Sequence, residues 1–321
     1  MISVEEALQI IDNAIVLSKP KIMAVHSSLG CVLANDVLSP IYMPPFAQSA
    51  MDGYAVRFNG AACFSLKGEI KAGDNAQPLL KEGEAVRIFT GAPVPATADA
   101  VVRQEDTEVV DGVLVVNPLP RAKANVRPLG EQIAEGAIAL QKGQVLNAAS
   151  IGYMATLGIT EIEVYEKPKV TILVTGNELV EPGTPLQYGQ IYESNAPMLV
   201  SALNDYGITN VEVQRVKDDY TSTLEQLKLI LADNDLVLCS GGISVGDYDF
   251  VGKALKELGT QELFYKVKQK PGKPLFFGIR NKTIVFALPG NPAAALTCFY
   301  VYVLKALNLM TGKRPEGLRR V

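Results

Sequence analysis

The sequence has very little histidine and cysteine, and this scarcity excludes several kinds of catalytic or metal site. There is 1 histidine, His26, so a Ser/His/Asp triad or a multi-histidine zinc site would have to use it. No partner motif surrounds His26, and we expect it to be structural. The 4 cysteines lie far apart and form no C-x-x-C pair. This spacing favours free thiols in a reducing compartment over disulfides.

The chain also lacks an excess of positive charge, a secretion signal and a hydrophobic run of membrane length. Its net charge is −4 and its pI is about 5.3, which argues against binding to nucleic acid or to an anionic membrane. The N-terminus predicts a helix with a capping box of Ser3 and Glu6 instead of a signal. The apolar run before Lys305 has about 12 residues, whereas a membrane span needs roughly 20. We therefore expect a cytoplasmic protein that binds neither nucleic acid nor a membrane.

What remains is the composition of a globular protein with more than one domain. The chain has 321 residues, of which 48% are hydrophobic, and this is ample for a buried core. Pro40, Pro44 and Pro45 interrupt the first regular structure. Short alternating apolar runs at 61–116 then predict a small β domain.

A second helix is predicted within residues 133–158, where Gly158 provides a C-terminal cap. This helix would pack against the N-terminal helix. The predicted domains are an N-terminal helical and extended domain of residues 1–43 and 134–166, which is interrupted by a β insert domain of residues 44–133.

Residues 167–312 are predicted to form a different unit, in which apolar strands alternate with amphipathic helices. This pattern is typical of a mostly parallel sheet that is covered on both faces, an α/β three-layer sandwich. The predicted strands are 170–175, 211–216, 235–239, 275–279 and 283–288, and the predicted helices are 196–206, 221–232, 250–258 and 293–309. Ligands of such sheets bind at the carboxyl edge of the strands.

Glycine loops and charged side chains follow the predicted strands at this edge. The loop SGGISVGDYD (240–249) combines glycines, which allow close approach of a ligand, with a helix N-terminus, which favours phosphate. Its last residue, Asp249, could alternatively be only a helix cap. Carboxylates at Glu178, Asp218 and Asp249 are suited to a hard divalent cation, and lysines at Lys270 and Lys273 to an oxyanion. Together these loops predict a site for phosphate and a metal ion.

Six short motifs run along the chain: SAMDGYAVR (49–57), TGAPVPATADAVV (90–102), TGNEL (175–179), SGGISVGDYD (240–249), KPGKP (270–274) and LPGNP (288–292). In order and spacing they resemble the molybdopterin molybdenumtransferases, the MoeA and gephyrin E-domain family. The resemblance covers essentially the whole chain and implies a molybdopterin-binding-like α/β domain. SGG-SVG and LPGNP also occur in related molybdopterin adenylyltransferases, whereas MDGYA with TGAP is specific to the molybdenum-inserting group.

This resemblance implies a Mg²⁺-dependent transfer of molybdate into adenylylated molybdopterin, with release of AMP and molybdenum cofactor. The implied catalytic residues are Asp52, Thr90, Glu178, Asp218, Asp249, Lys270 and Lys273, of which Glu178, Asp218 and Asp249 would hold the metal. The implied substrate-binding residues are Arg127, Thr175, Gly176, Ser240, Gly241, Gly242, Ser244, Gly246, Pro289, Gly290, Asn291 and Pro292. Asp219 is an alternative to Asp218.

The resemblance also implies a homodimer, whose active cleft lies between the sheet domain of one subunit and the insert domain of the other. Other proteins of molybdenum cofactor biosynthesis are further expected partners. The family usually continues into a C-terminal β-barrel domain, and residues 313–321 stand where that domain would begin. The chain departs from the family pattern at Ala47, Gln48 and Gln132, where carboxylate or amide residues are usual.

Two other functions fit parts of the same sequence. A binding or scaffold protein would keep the pterin-holding fold without catalysis. A molybdopterin adenylyltransferase would use the sheet domain alone, but MDGYA and TGAPVP would then have no explanation. The choice between molybdate and tungstate also stays open.

Overall fold

The computed structural model describes residues 1–75, 77–243 and 250–314. The α-helices are α1 (Val4–Ala14), α2 (Ala148–Thr156), α3 (Asn195–Tyr206), α4 (Tyr220–Asp233), α5 (Phe250–Glu257), α6 (Pro292–Cys298) and α7 (Leu304–Thr311), with 3₁₀ turns at Val25–Ser27 and Gln104–Asp106. A π-helical turn, Phe299–Val303, joins α6 to α7.

The strands, in chain order, are β1 (Pro20–Ala24), β2 (Val37–Leu38), β3 (Gln48–Ser49), β4 (Gly53–Val56), β5 (Cys63–Ile70), β6 (Glu84–Ile88), β7 (Ala100–Arg103), β8 (Thr107–Val110), β9 (Val113–Val116), β10 (Val126–Arg127), β11 (Ile138–Leu140), β12 (Glu161–Tyr165), β13 (Val170–Thr175), β14 (Leu179–Val180), β15 (Ile191–Tyr192), β16 (Val211–Val216), β17 (Leu236–Ser240), β18 (Gln261–Tyr265), β19 (Phe276–Arg280) and β20 (Thr283–Leu288). The chain divides into two compact units, Met1–Asn35 with Lys142–Ile151 and Glu161–Val321, and Asp36–Gln141 with Gly152–Thr160.

The first unit is built on a six-stranded sheet in the order β16-β13-β17-β20-β19-β18. β16, β13, β17 and β20 run parallel, and every residue of β13, β17 and β20 is buried, as the continuous apolar runs predict. Leu199 of α3 and Leu307 of α7 pack on one face of the sheet, while Leu227 of α4 and Leu255 of α5 pack on the other. The predicted α/β three-layer sandwich is confirmed.

Two strands at one end of this sheet reverse direction. β19 runs antiparallel to β20, with Phe276 opposite Ala287, and β18 runs antiparallel to β19. The reversal brings the residues before β19, including the KPGKP loop, to the edge where β20 ends. β18 was not predicted, because its half-exposed residues lack the continuous apolar run of the central strands.

The first helix belongs to this α/β unit. Ser3 and Glu6 form the predicted capping box, with Glu6 N–H donating to Ser3 Oγ at 3.1 Å. Ala7 and Ile11 are fully buried in the cluster that also holds α7. The expectation that α1 packs against the second predicted helix is therefore wrong.

The second predicted helix is also much shorter than expected. Of residues 133–158, only α2 is helical, and Ile138–Leu140 forms β11, which pairs with β2. Gly158 has the left-handed backbone, φ +75°, that a C-terminal cap requires. The apolar spacing of residues 151–157 does correspond to a helix, α2. The upstream glycines at 136 and 143, however, have positive φ values in turns and do not continue a helix.

The second unit is a small β structure, as predicted. Its main sheet has the order β7-β4-β6-β5-β9-β8 and is mixed, because β5 pairs with β6 in parallel. Asp111 (φ +48°) and Gly112 (φ +78°) form the two-residue turn between β8 and β9. Gly53 of the SAMDGYAVR motif lies inside β4, where it pairs with Ile88 of β6 and Arg103 of β7.

The helical run Pro292–Thr311 is, by length and composition only, long and apolar enough to cross a membrane, and half of its most apolar window is buried inside the protein. It is longer than the apolar run considered in the sequence because Lys305 continues the helix, where its ammonium group lies 2.6 Å from Asp12 Oδ1. Phe299, Tyr302 and Leu307 are fully buried against the sheet. We interpret the run as the core helix of the α/β unit.

Candidate functional site

Two adjoining cavities lie at the carboxyl edge of the parallel strands of the first unit. The edge pocket, of ≈ 430 Å³, is lined by Thr175, Glu178, Leu179, Ile191, Tyr192, Glu193, Ser194, Asn195, Ser240, Gly241, Gly290, Asn291 and Pro292. The glycine pocket, of ≈ 280 Å³, is lined by Thr175, Gly176, Glu178, Asp218, Gly241, Gly242, Ile243, Pro274, Pro289 and Gly290. The two share residues from the ends of β13, β17 and β20 and form one continuous candidate site.

Most of the residues predicted for this edge line these two cavities. They are Thr175, Gly176, Glu178, Asp218, Ser240, Gly241, Gly242, Pro289, Gly290, Asn291 and Pro292. Ser244, Gly246 and Asp249 lie outside the described residues. Lys270 and Lys273 are exposed on the loop before β19, and Pro274 of that loop lines the glycine pocket.

Asp218 lies at the end of β16 in a site that disfavours its charge. Desolvation, together with the nearby carboxylates of Glu178 and Asp219, raises the pKa of the Asp218 carboxyl group above its ordinary value. Its Oδ1 atom is buried and has no hydrogen-bond partner in the described part of the chain. The described residues give an ionised Asp218 no compensating partner, so a bound cation would stabilise it.

Asp219 has a different environment from its neighbour. Its carboxylate caps α4 by accepting a hydrogen bond from the Ser222 N–H at 2.9 Å. This backbone hydrogen bond holds the pKa of Asp219 below its ordinary value. The geometry therefore favours Asp218 over Asp219 as the carboxylate that faces a ligand.

Buried polar atoms without partners are concentrated at this edge. Among the described residues, Thr175 Oγ1, Glu193 Oε2, Asn195 Oδ1 and Asp218 Oδ1 are such atoms, and each belongs to a residue that lines a pocket. The remaining one, Thr260 Oγ1, lies elsewhere. Because native proteins satisfy most buried polar groups, this concentration indicates that water or a polar ligand completes the site.

The turn after β17 brings backbone close to the end of β13. Gly241 has φ +89°, and a Cβ atom there would lie 2.6 Å from the Thr175 carbonyl oxygen. Gly242 has φ +65° and would meet Thr175 Oγ1 at 2.8 Å. Both positions thus need glycine for conformation and for space, which explains the two glycines that open the 240–249 loop.

Asn195 joins three elements of the site. Its Nδ2 donates to Ser240 Oγ at 2.8 Å and to the Gly290 carbonyl oxygen at 2.9 Å, which ties the start of α3 to the ends of β17 and β20. Asn291 then caps α6 by accepting from the Ala294 N–H at 3.1 Å. These bonds hold the LPGNP loop against the glycine turn.

Sequence reasoning missed Glu193 and Asn195. Glu193 follows the short strand β15, which no apolar run predicts, and Asn195 is the first residue of α3. The available signal was the stretch Glu193-Ser194-Asn195 at the start of a helix, which resembles ordinary capping residues. Only the approach of Ser240 and Gly290 shows that these side chains belong to the site.

The loop that carries Lys270 and Lys273, here called the lysine loop (270–274), is held in place by hydrogen bonds from neighbouring side chains. Gln269 Nε2 donates to the Gly272 carbonyl oxygen at 2.8 Å, and Tyr302 donates its hydroxyl hydrogen to Gln269 Oε1. Burial raises the pKa of Tyr302 to about 12, so this hydroxyl stays protonated. The anchoring leaves Lys270 and Lys273 exposed on a loop whose base is held in place.

The second unit contains a separate cluster around Asp52. The Thr90 N–H and hydroxyl both donate to Asp52 Oδ1, at 2.8 and 2.7 Å. The backbone hydrogen bond contributes most to lowering the pKa of Asp52, which therefore stays ionised. The two residues predicted in this unit are thus in contact, and Arg87, which sequence reasoning missed, lies over the Tyr54 ring at 4.9 Å. Arg127 is exposed in β10, where it pairs with Gln48 of β3.

No group of three or more potential metal ligands (His, Cys, Asp or Glu) occurs within 1–75, 77–243 and 250–314. Glu178 and Asp218 are the predicted ligands in those ranges, and both line the glycine pocket. Their hard oxygen atoms suit a divalent cation such as Mg²⁺, and Asp218 Oδ1 has no other partner among the described residues.

The sequence and the fold of this chain are similar to those of known proteins. Residues 2–158 match the family model "MoeA N-terminal region (domain I and II)", and residues 171–309 match "Probable molybdopterin binding domain". The molybdopterin molybdenumtransferase of Haemophilus influenzae is 37% identical over 88% of this chain and 71% of its own length. Molybdopterin molybdenumtransferase 2 of Mycobacterium tuberculosis is 37% identical over 97% of this chain and 80% of its own length. The crystal structure of the molybdopterin biosynthesis MoeA protein from Pyrococcus horikosii superposes with a TM-score of 0.84 at 30% identity, covering 98% of this chain and 81% of that one.

Proposed function

The chain belongs to the MoeA family, and from this premise we propose that it is a molybdopterin molybdenumtransferase of molybdenum cofactor biosynthesis. In this reaction molybdate enters adenylylated molybdopterin, and AMP and molybdenum cofactor are released. The observation that carries the proposal is the set of partnerless buried polar atoms along the edge and glycine pockets. Most of these atoms are acceptors, so the N–H groups of a pterin supply the donors that they lack, while its phosphate reaches the carboxylates through a bound cation.

The proposed residues divide by chemistry. Asn291 and the backbone of Gly241 and Gly290 position the substrate, because all three residues line the edge pocket. Lys270 and Lys273 neutralise phosphate or molybdate charge from their anchored loop. Cleaving a phosphoanhydride depends on positioning and charge neutralisation more than on a nucleophilic side chain, so the scarcity of histidine is no obstacle.

We further propose that the enzyme uses Mg²⁺ held by Glu178 and Asp218. When bound, the ion supplies charge neutralisation at the phosphate oxygens. Asp249 was predicted as a third ligand from sequence and retains that proposed role. Asp52 and Thr90 are proposed to act in catalysis as an ionised carboxylate held by two hydrogen bonds.

The proposed setting of the enzyme is the cytoplasm, as a homodimer that also meets other proteins of molybdenum cofactor biosynthesis. The acidic pI of about 5.3 supports the expectation that nucleic acid is not a partner. The mass in solution, measured by light scattering, would test the dimer directly.

The function is tested by incubating the protein with adenylylated molybdopterin, Mg²⁺ and molybdate, and by following AMP. We expect AMP release that depends on molybdate. Asp218→Asn should lower this rate by about a hundredfold or more if the carboxylate stabilises the transition state electrostatically. Asp219→Asn is the matched control and should keep near wild-type turnover, because asparagine also caps a helix.

AMP formation that is indifferent to molybdate would contradict the proposal. Adenylylation of molybdopterin by ATP would instead identify an adenylyltransferase. Tight binding of molybdopterin without either reaction would identify a scaffold protein.

A further inference from the structure

Glu193 is a buried carboxylate that lines the edge pocket and also a neighbouring cavity shared with Arg215. Its side chain is 2% exposed, and its Oε1 accepts a hydrogen bond from the Ala196 N–H at 2.8 Å. Its Oε2 is buried and has no hydrogen-bond partner among the described residues, and Arg215 Nη2 lies 3.9 Å away, beyond hydrogen-bond distance. The charge is therefore countered, while the acceptor capacity of Oε2 stays unused.

Asn195 lines the same pocket and has a second buried acceptor without a partner in the described part of the chain. Its amide nitrogen must face the Gly290 carbonyl, since a carbonyl oxygen can only accept. The same nitrogen also donates to Ser240 Oγ, so both of its hydrogens are used. The orientation is thus determined, and the atom left without a partner is the acceptor Oδ1.

Two buried acceptors that have no donors among the described residues restrict the kind of ligand that suits this pocket. Phosphate and molybdate are poor candidates here because a carboxylate repels them. A metal cation is disfavoured by Arg215, whose guanidinium group already lies beside Glu193 and bonds Glu181 at 2.8 Å. A neutral group with adjacent N–H donors satisfies both acceptors without added charge.

The remaining lining of the edge pocket is suited to a flat ring. Leu179, Ile191, Tyr192 and Pro292 provide apolar surface around the polar end formed by Glu193 and Asn195. The volume of ≈ 430 Å³ accommodates a bicyclic heteroaromatic ring. A pterin has an exocyclic amino group next to a ring N–H, which is the donor pair that the acceptors require.

We propose that Glu193 and Asn195 recognise the amino and ring N–H edge of the pterin in the edge pocket. The inference rests on the proposed function only for the choice of pterin as the ligand. It assigns the pterin to the β15–α3 side of the site and leaves the glycine pocket for the phosphate end. Glu193 and Asn195 are thereby specificity-determining residues for the ring.

The first test uses the unaltered protein and two simple ligands, pterin and lumazine, in which oxygen replaces the amino group. Binding is measured by calorimetry without molybdate or nucleotide. Lumazine turns one donor into an acceptor, so we expect it to bind about tenfold or more weakly than pterin. Equal affinity for the two ligands would overturn the proposal, and this result needs no variant that might misfold.

The second test changes the acceptor into a donor at nearly constant shape. In Glu193→Gln the amide oxygen keeps the bond from the Ala196 N–H, so its NH₂ group replaces Oε2 in the pocket. We expect this variant to lose pterin affinity by about tenfold and to reduce or reverse the preference over lumazine. Glu181→Gln is the matched control, because Glu181 pairs with the same arginine but does not line the edge pocket.

The outcomes separate this inference from the proposed function. Pterin binding that depends on Glu193 supports the inference even if the protein shows no molybdate-dependent AMP release. Molybdate-dependent turnover with unchanged pterin preference in Glu193→Gln would refute the inference and leave the function standing. Loss of Mg²⁺ affinity in Glu193→Gln, with pterin binding intact, would also refute it and identify a cation site.

Discussion

At the scale of single residues, the neighbouring carboxylates Asp218 and Asp219 show how local contacts decide chemistry. Asp219 accepts a backbone hydrogen bond at the start of α4, which stabilises its charge and lowers its pKa. Asp218 is desolvated and lies near Glu178 and Asp219, so its pKa is raised. The same side chain one position apart is thus a structural cap in one case and a candidate ligand in the other.

The raised pKa predicts how Mg²⁺ affinity depends on pH. A cation binds the ionised carboxylate, so affinity should fall as pH falls through the raised pKa of Asp218. Asp218→Asn should lose most of the affinity and this part of its pH dependence, whereas Asp219→Asn should keep both. Titration calorimetry with Mg²⁺ over a series of pH values checks this. An unchanged pH profile in Asp218→Asn would contradict it.

The same group affects stability with a defined sign. Because the folded state holds the Asp218 proton more tightly, its contribution to stability is full below the unfolded pKa of about 3.9 and is lost as pH rises through the folded pKa. At neutral pH without Mg²⁺, Asp218→Asn should therefore raise the melting temperature. Thermal denaturation at low and neutral pH measures the difference, and an equal effect at both would argue against the mechanism.

At the scale of elements, the site depends on turns that bring strand ends together. Gly241 turns the chain after β17 so closely that its backbone touches the end of β13. Asn195 then ties α3 to the same place, and Asn291 starts α6 beside it. These contacts join residues that are far apart in sequence, and they explain why the site is built where three loops meet.

Substitution of two glycines tests this close approach. Gly241→Ala should destabilise the protein by more than about 2 kcal/mol, because the left-handed backbone costs about 1–2 kcal/mol and the Cβ contact adds to it. Gly152→Ala is the control, since Gly152 is in α2 and a Cβ atom there would contact nothing within 4 Å. It should stabilise the protein by about 0.5–1 kcal/mol. Urea denaturation measures both, and similar effects of the two substitutions would contradict the explanation.

At the scale of the whole molecule, the distribution of apolar surface decides how the chain meets water. The run Pro292–Thr311 is long and apolar enough for a membrane span, yet Phe299 is fully buried against the sheet of its own unit. Tyr300, the next residue, is 51% exposed. The two faces of this helix therefore have different environments, whereas a lipid-exposed span would favour apolar residues on both.

This difference predicts opposite outcomes for two neighbouring substitutions. Tyr300→Asp should change stability by no more than about 0.5 kcal/mol, as is usual for surface positions. Phe299→Asp would bury an unpaired charge and should prevent stable folding. Thermal denaturation, together with flotation on phosphatidylcholine vesicles, checks both. Flotation of the unaltered protein that Tyr300→Asp abolishes would show that the helix inserts into lipid.

Much of the fold was predictable because its signals are local. The buried strands from Val170 to Leu288 are continuous apolar runs, and the capping box of Ser3 and Glu6 is a short-range pattern. The residues after those strands were predicted to meet because parallel strands share one carboxyl edge. The division of the chain into 1–43 with 134–166, 44–133 and 167–312 stays a proposal.

The sequence by itself determined the buried parallel strands and the main helices of residues 167–312, the glycines of the 240–249 loop and the family motifs, since each depends on residues close together in the chain. Only the tertiary structure decided that Asp218 and not Asp219 lines the glycine pocket, and that Glu193 and Asn195 have acceptors without partners among the described residues. The physical reason is that burial and an unmet hydrogen bond arise from long-range approach, here of Ser240 and Gly290 to Asn195. The pattern of apolar residues within one segment does not show which distant groups will bury its polar side chains.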